Sequence, residues 1–101
     1  MINYGSDAEL QQVLSEFDVP KLTFTGRKDA GPDEELYFFE DASGTQYGVW
    51  ARDYMDELKY EKTGLKNNFN IEVDSWINLK NSSDQTTEFD GDTYAAFTIK
   101  N

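Results

Sequence analysis

The 101-residue sequence predicts one mainly β domain with two helices: five strands curled into a small, partly open barrel, in the order helix-β-β-β-α-β-β. Three observations predict it. The stretch Glu35 to Ala51 reads as a hairpin around Ser43-Gly44. Phe69, Ile71 and Val73 alternate with polar residues, and the apolar set then slips at Ser75 to Trp76, Ile77 and Leu79. Leu10, Val13, Leu14 and Phe17 recur at the spacing of one helical face. An α+β sheet with both helices on one face uses the same elements and differs in closure.

The first helix is expected over residues 7–18. Ser6 and Glu9 have the form of a capping box, Asp7 and Glu9 favour the positive end of the helix dipole, and Pro20 closes the segment. Leu22 and Phe24 then alternate with Lys21, Thr23 and Thr25 in a short strand ended by Gly26, and Arg27 to Glu34 is a turn-rich loop. Hairpin strands are expected at about 35–42 and 45–51. Their simplest register puts Leu36, Phe38, Val49 and Ala51 on one face and Tyr37, Phe39 and Trp50 on the other, with Gly48 opposite Phe39. Arg52 to Tyr60 reads as a short helix through Met55 and Leu58, and Gly64 as the turn into the fourth strand. A bulge near Ser75 would bend that strand as a small barrel requires. Lys80 to Asp92 is a polar loop, and Tyr94 to Ile99 the last strand. Residues 1–20 are thus a helical extension and 21–100 the barrel, within a single domain over 1–101.

Composition narrows the chemistry. There is no cysteine and no histidine, which removes disulfides, thiolate zinc sites, the commonest general base and every imidazole triad. No enzymatic activity, cofactor or metal is expected. Asp90-Gly91-Asp92 lacks the further ligands of a calcium loop. The first residues show no signal peptide and no stretch has the roughly 20 apolar residues of a bilayer span, so the expectation is a cytoplasmic chain, in the host if viral, with no membrane partner. Nothing in the sequence sets the oligomeric state.

Strand, hairpin, helix, strand, loop, strand is the element order of the oligonucleotide-binding fold. Phe39-Glu40-Asp41-Ala42-Ser43-Gly44, the segment around Tyr54 to Leu58, Gly64 and the run Phe69-Asn70-Ile71-Glu72-Val73 resemble the oligonucleotide-binding domains of replication protein A and of small phage single-stranded-DNA-binding proteins. The resemblance covers a little over a third of the chain. It implies stacking of bases on Tyr37, Phe39 and Trp50, with phosphates tracked by Arg27, Lys28, Arg52, Lys62 and Lys66, in a replication accessory that binds single-stranded DNA or RNA. The chain departs from that pattern between its last two strands, where Asp84, Glu88, Asp90 and Asp92 occur without a Lys or Arg among them.

The net charge of −11 supports a second expectation. It disfavours phosphate backbones and suits a basic protein partner, such as the channel of a nucleic-acid-processing enzyme. Carboxylates would then stand in for phosphates, as in a DNA mimic of the anti-restriction or anti-CRISPR type. Rings exposed beside Arg27 and Lys62 would favour strand binding; rings buried, with acids outside, would favour the mimic.

Overall fold

The computed structural model describes residues 8–29, 34–53 and 64–100. Its elements are α1 (Ala8–Glu16), β1 (Thr23–Asp29), β2 (Glu34–Glu40), β3 (Gln46–Asp53), α2 (Gly64–Phe69), β4 (Val73–Trp76), β5 (Thr87–Phe89) and β6 (Asp92–Ile99). All strand pairs are antiparallel. The sheet runs β1-β2-β3-β6, and the far side of β6 is shared by β5 at its start and β4 at its end.

The expected five-stranded, partly open barrel is therefore corrected to an open, six-stranded antiparallel sheet. Among the described residues β1 pairs only with β2, and β4 and β5 pair only with β6. Of the alternative with both helices on one side, the second helix expected lies outside the described residues; the two described helices pack on opposite faces, each with its own apolar cluster. Leu10, Val13 and Phe17 of the α1 segment pack with Phe39, Tyr47, Val49, Ala51, Tyr94 and Ala96. Leu65 of α2 packs on the other face with Leu36, Trp50, Ala95 and Phe97. A sheet with apolar residues on both sides satisfies them by taking a cover on each, and so has no need to curl.

The hairpin register differs from expectation by one residue. Asp41 N–H donates to Thr45 O at 3.1 Å, which makes Ala42-Ser43-Gly44 a three-residue loop, with Gly44 at φ 88°. Asp41 Oδ1 accepts from the N–H groups of Ser43 and Thr45, both at 2.9 Å, and from the Ser43 hydroxyl at 2.7 Å. A loop one residue longer turns every side chain of the second strand over. Leu36 therefore faces Trp50, Tyr37 faces Val49, Phe38 faces Gly48 and Phe39 faces Tyr47.

Other boundaries move for local reasons. Helix α1 stops at Glu16 because Phe17 leaves it to bridge Leu79, flanked by Asp18 N–H to Asn78 O (3.0 Å) and Lys80 N–H to Glu16 O (2.9 Å). β1 runs through Gly26, with an irregularity between Phe24 and Gly26. Arg52 and Asp53 belong to β3, and the rest of the helix expected over 52–60 lies outside the described residues. Gly64 opens α2 where a turn was expected.

Phe69 and Ile71 alternate for a reason other than a strand. Asn70 takes φ 56° and its N–H bonds Lys66 O at 3.0 Å, the bond of an αL cap, while Ile71 N–H bonds Leu65 O, also at 3.0 Å; Phe69 and Ile71 both pack on the cluster that holds Leu65. The slip expected near Ser75 is the irregularity between Val73 and Ser75. The polar loop over 80–92 contains β5, joined to β6 by Asp90 (φ 53°) and Gly91 (φ 87°), a two-residue turn of mirror-image type. No described helix is long and apolar enough to cross a membrane.

A Cβ at Gly48 would stand 2.3 Å from Phe97 Cζ, while one at Gly26 meets nothing within 4 Å among the described residues. Gly48→Ala is expected to cost about 2–3 kcal/mol or more in urea unfolding, and Gly26→Ala to stay within about 0.5 kcal/mol of wild type. Donation from the Ser43 hydroxyl, and then from the Thr45 and Ser43 N–H groups, holds the Asp41 carboxyl below its ordinary value of 3.8. A lowered carboxyl stabilises the fold above that value and loses the contribution as pH falls through its folded value. Asp41→Asn is expected to flatten the acid limb of the stability curve, with the difference from wild type largest at neutral pH and vanishing in acid.

Candidate functional site

The longer loop redistributes the rings of the hairpin. Tyr37 and Phe39 lie on the α1 face, and Trp50 lies on the α2 face. Phe39 and Trp50 are each 2% exposed. Phe39 meets Phe24 edge to face, with centroids 5.6 Å apart, under the first helix. The Trp50 indole N–H donates to Glu34 Oε1 at 2.7 Å, and the Arg52 guanidinium lies 5.8 Å from its ring centroid. A buried indole needs one polar partner, and Glu34 is that partner. Tyr37 is half-buried. Its hydroxyl donates to Glu35 Oε2 at 2.9 Å, and burial first, then Glu35, raises its phenol above the ordinary 10.0. Of the three rings expected to form a stacking platform, Trp50 lies on the opposite face from Tyr37 and Phe39, and Phe39 and Trp50 are core. Gly48, expected to leave room for a ligand ring, instead makes room for Phe97.

The expected cations are dispersed and paired. Arg27 contacts Asp29 and, at 3.0 Å, Glu35. Arg52 is 3.7 Å from Glu34; Lys66 and Lys100 share Glu72 at 3.5 and 4.0 Å. Lys28 is exposed, its Nζ 5.8 Å from the Phe69 ring centroid. Lys62 lies outside the described residues.

Acids gather along the opposite edge of the sheet. The Thr87 hydroxyl donates to Glu16 Oε1 at 3.0 Å, and Leu79 N–H bonds Asp84 O at 2.8 Å. With the Phe17–Leu79 bridge, these bonds fasten segment 78–87 to the end of α1. They put Glu16 next to Thr87 and Asp18 next to Asn78, on the side of the sheet whose loop and hairpin carry Asp84, Glu88, Asp90 and Asp92. Asp18, Asp84, Glu88 and Asp90 are exposed, and no Lys or Arg occurs from Asn81 to Ile99. The sequence pattern marked the acids of this loop; it did not show that the end of α1 joins them, because the bridge between Phe17 and Leu79 links residues 62 apart and has no local signal. Asp90-Gly91, weighed above only as part of a calcium loop, is a hairpin dipeptide, and that signal would have placed Asp90 and Asp92 at a turn. Comparison of the chain with protein-family models, curated proteins and solved structures finds no match.

Trp50→Phe is expected to cost about 2 kcal/mol in urea unfolding, since it shrinks a core ring and leaves the Glu34 carboxylate without the indole donor. It is also expected to remove the shorter-wavelength component of the tryptophan emission and leave that of the half-buried Trp76.

Proposed function

We propose that this protein is a non-enzymatic, acidic protein-binding module that occupies the basic nucleic-acid channel of a partner enzyme. One observation carries the reading: the exposed rim Asp18, Asp84, Glu88 and Asp90, on a sheet edge anchored to α1 and devoid of cations over residues 81–99. Such an edge offers negative charge at low ordering cost, because the β5–β6 hairpin holds Glu88 and Asp90 while backbone bonds to Asn78 and Leu79 hold Asp18 and Asp84. The pairing of Arg27, Arg52, Lys66 and Lys100 with the chain's own acids supports the same direction. Those contacts reduce the positive potential available to a phosphate chain, and the net charge of −11 opposes its approach. Binding of single-stranded DNA or RNA on Tyr37, Phe39 and Trp50 is the weaker reading, since a base would have to displace core packing at two of the three rings.

The test is inhibition of a panel of enzymes that thread DNA through a basic channel: a restriction endonuclease, a CRISPR nuclease and an RNA polymerase. The expected result is inhibition of at least one, weakening as salt rises from about 50 to 200 mM. The combined variant Asp84→Asn, Glu88→Gln, Asp90→Asn should inhibit at least tenfold less while keeping its unfolding midpoint. A single-stranded oligonucleotide titrated at low salt should leave the tryptophan emission unchanged. Quenching by that oligonucleotide, with no inhibition across the panel, would reverse the order of the two readings.

A further inference from the structure

We draw no further inference here: the strongest candidate, the groove between α1 and residues 19–22 with the exposed Lys21 and Lys80 on its lining, carries nothing because nothing in the structure shows what covers it.

Discussion

The arrangement of this molecule depends on the carboxylate of Asp41. By accepting from two backbone amides and a hydroxyl it closes a three-residue loop, and the odd count fixes which side of β3 meets which side of β2. Strand parity is all-or-none: one residue fewer would send Trp50 and Gly48 to the α1 side and Val49 and Ala51 to the α2 side. Both apolar clusters are assembled around the parity that exists. Val49 and Ala51 are small enough to lie beneath α1, while Trp50 fills the wider space on the other side, with Glu34 closing its polar end. Asp41 stands on the surface, yet it sorts the interior.

The second constraint is close approach. Gly48 lets the Phe97 ring press on the sheet itself, so that β3 and β6 are joined by packing as well as by their ladder. Aromatic residues carry much of the burial in a chain with few large aliphatics, and rings stack well only where something small lies opposite. Across β3 and β6 the small residues Gly48, Ala51 and Ala95 are the partners of Phe97, Tyr94 and Trp50.

Much of the β content was legible in the sequence: the hairpin alternation, the slip at Ser75 and the first helix all have local causes. The register was not, because Ser43-Gly44 and Ala42-Ser43-Gly44 are both credible loops and only the Asp41 bonds decide between them. The stacking platform rested on that register and failed with it. Phe69 and Ile71 misled for a different reason, since a helix cap with Asn70 in the left-handed conformation brings residues two apart onto one side as a strand does. Closure was illegible because it turns on whether the second sheet face finds a cover, and the six residues of α2 carry only a weak helical signal. Of the acidic rim, the loop half was plain from composition, and the α1 half depended on a long-range bridge.

β6 is the shared spine of the sheet, bonded to β3 along one side and to β5 and β4 along the other. It is also the last in chain order of the eight elements among the described residues. As the chain emerges during synthesis, β1, β2 and β3 can form their meander from neighbouring segments, but β4 and β5 have no ladder to join until β6 arrives. Half of the sheet therefore waits on one late strand, and the pairings it makes with β3 span more than 35 residues of chain. Until then the apolar faces of β3 and of the α1 segment lack a neighbour on that side, which makes the nascent protein most exposed to chaperones and to mispairing just before its final strand docks.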